Sequence, residues 1–148
     1  MKTIEEQLSQ LRLQGMHISW KAMMETRQHH KLSFSEGLEI LLQAEEENRI
    51  NRRFERLKNA AKFRYQSSID ELSLNASRGM DASLITELAK GTYLEKGESI
   101  LITGATGCGK SFLASALGHQ ACAQGKKVLY YNIQKLLIQI KMARLDGS

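Results

Sequence analysis

GATGCGKS, residues 104–111, decides how this chain is read. It matches the pattern G-x-x-x-x-G-K-[ST] at every fixed position. A triphosphate carries several negative charges, and backbone N–H groups can surround it only where the chain turns tightly. Glycine takes the positive-φ conformations such a turn uses, and it has no side chain to hold a phosphate away. A helix that follows directly points its first N–H groups and the positive end of its dipole at the same anion. Lys110 would reach the β- and γ-phosphates, and Ser111 would offer its hydroxyl to Mg²⁺. The expected cofactor-binding set is Gly104, Thr106, Gly107, Cys108, Gly109, Lys110, Ser111 and Phe112, with Ser111 also the metal contact. Cys108 is read as a small residue whose N–H faces phosphate.

The flanks suit that reading. Ser99-Ile100-Leu101-Ile102-Thr103 is nearly all apolar, as a strand buried on both faces of a parallel sheet would be. A helix is expected from Lys110 to Gln124, closed by Gly125. Lys127-Val128-Leu129-Tyr130-Tyr131 reads as a second strand and Gln134 to Arg144 as a last helix. Strand, loop, helix, strand, helix means an α/β fold.

Upstream the chain reads as helical. Thr3-Ile4-Glu5-Glu6 and Ser33-Phe34-Ser35-Glu36 are capping boxes. Gly15 is expected to end or bend the first helix, and a second follows over about 17–29. Phe34, Leu38, Leu41, Leu42, Ile50, Phe54, Leu57 and Ala61 recur at mostly helical spacing, so one long helix is expected over about 34–64. Asp81 should cap a further helix that ends at Gly91. Trp20, Met23 and Met24 are read as core or partner-facing, and His29-His30 as a surface pair rather than a metal site.

The 148 residues suffice for one domain or two small units. No apolar run approaches a membrane span, and MKTIEEQLSQL carries acids where a secretory signal would be apolar. The cysteines, Cys108 and Cys122, fit neither a metal-ligand spacing nor a disulfide framework. The cytoplasm is the expected compartment.

Net charge is +5, and its placement matters more than its total. Arg49, Arg52, Arg53, Arg56, Lys58, Lys62 and Arg64 stand against Glu55 alone in residues 49–64. The four arginines at 49, 52, 53 and 56 step by three or four and share a helix face. Arg49, Arg52, Arg53, Arg56 and Lys62 are the candidate contacts to the backbone of double-stranded DNA. The competing reading is a solvated helix in which Glu45-Glu46-Glu47 pairs with Arg49 and Arg53 at i,i+4.

Hydrolysis at such a loop also needs an acid on another strand to hold Mg²⁺ and polarise water. No apolar run ending in two acids follows Ser111, and Asp146, the acid that does, reads as a helix terminus.

Taken together, several stretches resemble the IstB-type helper ATPases of insertion-sequence transposition, relatives of DnaC-type helicase loaders in the AAA+ group. They are Leu11-Arg12-Leu13-Gln14-Gly15-Met16, Leu32-Ser33-Phe34-Ser35-Glu36-Gly37-Leu38, Ala60-Ala61-Lys62-Phe63-Arg64, Ser77-Arg78-Gly79-Met80-Asp81, Ile100-Leu101-Ile102-Thr103-Gly104 and Ala143-Arg144-Leu145-Asp146-Gly147-Ser148. Ala105 stands where the family usually has proline, and Ser111 where it usually has threonine. The resemblance implies a helical N-terminal region (1–66) for partner and DNA contact, then the N-terminal part of an AAA+ P-loop ATPase core (67–148), incomplete because the Walker B acids have no matching positions. It implies ATP with Mg²⁺, a transposase partner and homo-oligomers. A helicase loader, or a fragment acting only through its helical region, are the alternatives. In the AAA+ sheet the strands at 98–103 and 127–132 are not neighbours, so both would lack pairing partners here.

Overall fold

The computed structural model describes residues 2–72 and 80–147. Ser77-Arg78-Gly79 and Ser148, parts of two of the stretches that carry the resemblance, lie outside them. The chain forms two compact units, Met1–Glu55 and Arg56–Ser148. The long helix α3 (Phe34–Ala61) runs through the boundary.

In the first unit α1 (Ile4–Gln10) opens on the expected box. Thr3 accepts from the Glu6 amide while the Glu6 carboxylate accepts from the Thr3 amide. Ser33 and Glu36 repeat this at the start of α3. Gly15 does not end a helix. It is the second residue of α2 (Gln14–Glu25), which stops four residues before the expected end, ahead of Arg27 in the left-handed region (φ 55°).

Gly15 is instead where α2 meets α3. A β-carbon there would lie 2.3 Å from the Ala44 carbonyl oxygen and 2.6 Å from the Glu45 α-carbon. That approach delivers the Glu45 carboxylate to the start of α2, whose own N-cap, Leu13, has no side-chain acceptor. Glu45 accepts from the Gly15 amide (2.8 Å), the Met16 amide (3.2 Å) and Arg49 Nε (2.8 Å). It is buried, and a carboxylate is tolerated there because each contact is a donor. Burial acts to raise the Glu45 pKa, but the Arg49 hydrogen bond and the Met16 and Gly15 amides outweigh it, so the pKa is lowered.

Of the apolar positions expected to form the α3 face, Leu41 and Ala61 are buried, while Phe34, Leu38, Leu42 and Ile50 stay exposed. A single crossing helix covers only part of so wide a stripe.

The second unit is organised around α6 (Lys110–Ala123). Ser115, Ala116, Leu117, His119, Ala121 and Cys122 of this helix are all buried. Gly125 (φ 79°) closes it as expected, with its amide bonded to the Cys122 carbonyl. Helix α4 (Ala82–Ala89) is capped by Asp81 and buries Ile85. The Gln124 amide closes its far end through the Ala89 and Lys90 carbonyls. A short helix the sequence did not announce, α5 (Thr92–Lys96), sits between two left-handed glycines, Gly91 and Gly97. Helix α7 (Ile133–Asp146) is capped by Asn132 and ends on Gly147. It is largely exposed, with Ile133, Leu137, Ile138, Met142 and Leu145 on its surface.

The α/β expectation is met in part: the glycine loop and the helix after it form, and the strands do not form among the described residues. Among the described residues no strand forms, at 99–103, at 127–131 or elsewhere. A strand exists only through its ladder, and neither segment has one. Ile100, Ile102, Val128 and Tyr130 are half-buried, whereas Leu101 is 88% exposed, Leu129 56% and Tyr131 55%. The apolar runs carry the composition of strands covered on both faces but are covered on one. Among the described residues, no helix is long and apolar enough to cross a membrane.

Trp20, the sole tryptophan, lies on α2 and reports on the first unit. Urea denaturation followed by its fluorescence should show Gly15→Ala destabilising this unit by about 1–3 kcal/mol, because the added methyl meets backbone rather than a movable side chain. Since the Glu45 pKa is lowered on folding, its contribution is complete above about pH 4.5 and is lost as pH falls through the folded value. An acid titration of the Trp20 signal should therefore lose a component in Glu45→Gln.

Candidate functional site

The glycine loop lies at the start of α6. Gly107 (φ 79°) and Gly109 (φ 94°) both take left-handed backbone, and among the described residues nothing lies within 4 Å of a β-carbon built on either. Glycine is needed there for conformation, not for space. At Gly104 conformation and space both count: φ is 157°, and a β-carbon would sit 2.9 Å from Cys108 Sγ. Cys108 thus packs within the turn, with its sulfur 3.9 Å from Lys110 Nζ.

Lys110 folds back over the loop, donating from Nζ to the carbonyl oxygens of Gly104 (2.7 Å) and Ala105 (2.6 Å). An ammonium held by two neutral carbonyls at an exposed site can exchange them for anionic oxygens, which are stronger acceptors. The N-cap of α6, Gly109, supplies no side-chain acceptor. The Lys110, Ser111 and Phe112 amides begin a helix and have no carbonyl within it to bond. Positive-φ glycines, opening amides and the Lys110 ammonium form a donor set that fits a polyphosphate.

The loop borders a cleft of about 750 Å³, lined by Thr106 to Leu113 and, facing them, by Arg64, Tyr65, Glu71, Leu72 and Met80. This volume suits a small-molecule ligand. The Tyr65 and Phe112 ring centroids are 6.1 Å apart, and the Arg64 guanidinium lies 5.3 Å from the Tyr65 ring centre. Of the expected set, Thr106, Gly107, Cys108, Gly109, Lys110, Ser111 and Phe112 line the cleft, and Gly104 lies behind them as an acceptor for Lys110. The opposing wall was not found from sequence. An aromatic beside an arginine just after a helix carries no motif, and only its proximity to the loop gives it meaning.

That wall is fastened to α6. The Ser67 hydroxyl donates to the Phe112 carbonyl (3.1 Å), and His119 Nδ1 contacts the Ser67 carbonyl oxygen (2.5 Å). The carbonyl can only accept, so Nδ1 carries the proton. Among the described residues His119 Nε2 is buried with no partner, as is Ser115 Oγ one turn before it. Burial, then the Lys58 charge, lower the His119 pKa against a smaller opposing effect of Glu71. Cys122, fully buried, has its thiol pKa raised by burial.

Of the basic residues of α3, Arg49, Arg52, Arg53 and Arg56 are exposed and Lys58 is half-buried. Arg49 is engaged by Glu45, the pairing anticipated at i,i+4. Arg52, Arg53 and Arg56 lie on the helix surface, and Lys62 follows its end in the left-handed region (φ 56°). His29 and His30 occupy a 3₁₀ turn, not an α-helix, and their rings lie 3.9 Å apart. Among the described residues no three His, Cys, Asp or Glu side chains cluster as metal ligands would.

Residues 6–148 match the family described as IstB-like ATP binding protein. A Pseudomonas fluorescens protein named for insertion sequence IS1162 and for ATP binding is 42% identical over 143 residues, covering 96% of this chain and 62% of that protein. One from Geobacillus stearothermophilus, named for IS5376 and ATP binding, is 33% identical over 145 residues, or 98% and 58%. One from Sinorhizobium fredii, with a name of the same kind, is 32% identical over 142 residues, or 96% and 58%. The chain spans about three-fifths of the length of these relatives.

Because folding lowers the His119 pKa, the unfolded chain binds the proton more readily. His119 contributes its full stability above about pH 6.5 and loses it as pH falls toward the folded value. Hydrogen exchange at the α6 amides should accelerate between pH 7.5 and 5.5, after correction for the intrinsic rate, and His119→Asn should flatten that dependence.

Proposed function

This chain belongs to the IstB-like ATP-binding protein family, and from that premise we propose that it binds ATP with Mg²⁺ as a helper of insertion-sequence DNA transposition. Membership implies a P-loop NTPase fold. The observation that carries the reading is the glycine loop, with Lys110 folded over it, opening a buried helix beside a cleft of nucleotide size.

The residues divide the work by chemistry. The Lys110, Ser111 and Phe112 amides would hold phosphate oxygens, and Lys110 Nζ would leave the Gly104 and Ala105 carbonyls to join them. Ser111, second residue of the helix, would turn its hydroxyl to the cation. Mg²⁺ held by Ser111 would supply neutralising charge for the phosphates. Tyr65 and Phe112 offer apolar ring surface to the flat base. As strands of an α/β AAA+ core, residues 99–103 and 127–131 would need pairing partners.

The reading extends to partners by analogy with the insertion-sequence relatives. Helices before residue 67 would meet a transposase and DNA, the remainder together with Arg64 and Tyr65 would hold nucleotide, and copies would assemble on DNA. Arg52, Arg53 and Arg56 support the DNA contact, being exposed cations on one helix. Arg49 would contribute less because Glu45 already holds it.

Two measurements test this. Titration with a fluorescent ATP analogue should show Lys110→Ala weakening binding by about 10–100-fold, the cost of a charge-assisted contact; equal affinity would remove the loop from nucleotide binding. Neutralising Arg52, Arg53 and Arg56 together should weaken DNA binding and reduce the slope of log K against log salt by about 2–3. An unchanged slope would leave α3 as a solvated helix.

A further inference from the structure

We propose that Ser67 and His119 are positioning residues that set the nucleoside-facing wall of the cleft, and through it the affinity for a nucleotide as distinct from a bare polyphosphate. The proposal rests on the nucleotide-binding reading above.

After Lys62 the chain passes over α6 and is fixed to it at both ends of a short span. At one end the Phe63 ring lies on Gly118, where a β-carbon would come within 2.4 Å of it, and stands edge-on to His119 at 4.4 Å. At the other, Ser67 is held twice, by its hydroxyl on the Phe112 carbonyl and by its own carbonyl on His119 Nδ1. Arg64 and Tyr65, the residues that face the loop, lie between these points. Among the described residues neither side chain makes a hydrogen bond, and Tyr65 is 39% exposed. Apart from the Arg64–Tyr65 and Tyr65–Phe112 ring contacts, their position is inherited from the fixed ends.

Histidine at 119 is costly as packing alone. Its Nε2 is a buried acceptor without a donor, which an apolar side chain of similar size would avoid. What histidine adds is the grip on the Ser67 carbonyl. The Ser67 hydroxyl ends on Phe112, in the same first turn of α6 that presents the phosphate-facing amides. Wall and loop are thereby held in register on one buried helix. Phosphates would meet the loop, and a ring reaching the far wall would meet Tyr65. Disturbing the clamp should cost the ligand that has a base, and spare the one that lacks it.

The test compares Mg²⁺-ATP with Mg²⁺-tripolyphosphate by calorimetric titration of the full chain. Ser67→Ala and His119→Leu should each weaken ATP by about 5–20-fold and tripolyphosphate by less than about 2-fold. His119→Asn, which keeps a donor for the Ser67 carbonyl, should hold ATP within about 3-fold of the parent chain. Ser67→Ala, the milder change, carries the test if His119→Leu unfolds in a thermal melt. Equal weakening of both ligands, or none, would overturn the proposal while leaving nucleotide binding intact. If the parent chain binds neither ligand, or Lys110→Ala changes neither, the nucleotide reading itself fails.

Discussion

Three N–H groups at the start of α6, those of Lys110, Ser111 and Phe112, have no carbonyl within their own helix to bond. Gly109, which begins the helix from the left-handed region, has no side chain to offer them. An anion is the strongest acceptor for such a set, because the aligned peptide dipoles add partial positive charge at the same place. The rest of the second unit follows from keeping that end of the helix fixed. Its buried face stops it from tipping, Gly125 closes it, and Ser67 ties the opposing cleft wall to its first turn.

The first unit meets the same chemical problem with another answer. The opening amides of α2 also lack a cap from their own N-cap residue, and a carboxylate from α3 closes them. Glu45 is a permanent ligand, covalently part of the chain and balanced by Arg49. One helix start is sealed from within, and the other presents its donors to a cleft. That contrast separates the structural use of a helix N-terminus from the proposed binding use more clearly than the glycine content of either stretch.

Local chemistry was legible in the sequence, and long-range chemistry was not. The boxes at Thr3 and Ser33, the Asp81 cap, the Gly125 closure and the glycine loop each lie within a few residues of what they act on. The pairing of Glu45 with Arg49 was legible for the same reason. Gly15 was read as a terminator because sequence alone cannot tell a glycine that ends a helix from one that admits a neighbouring backbone. The Ser67–His119 contact spans fifty-two positions and has no periodic signature. The strand expectation failed in another way. Composition at 99–103 and 127–131 records what those segments suit, whereas a ladder needs a second strand beside each. Arg64 and Tyr65 became part of the candidate site only through proximity to the loop.

Gly15 has a consequence at the level of the codon. No missense change can leave a glycine codon without adding a carbon to the α-position, and here the added atom would press on the main chain of α3. Conservative drift at this site is therefore closed by the genetic code as much as by the fold. At the nearby exposed residues Leu11 and Ile18 a side chain can change size in small steps, whereas at position 15 the first step is already the large one.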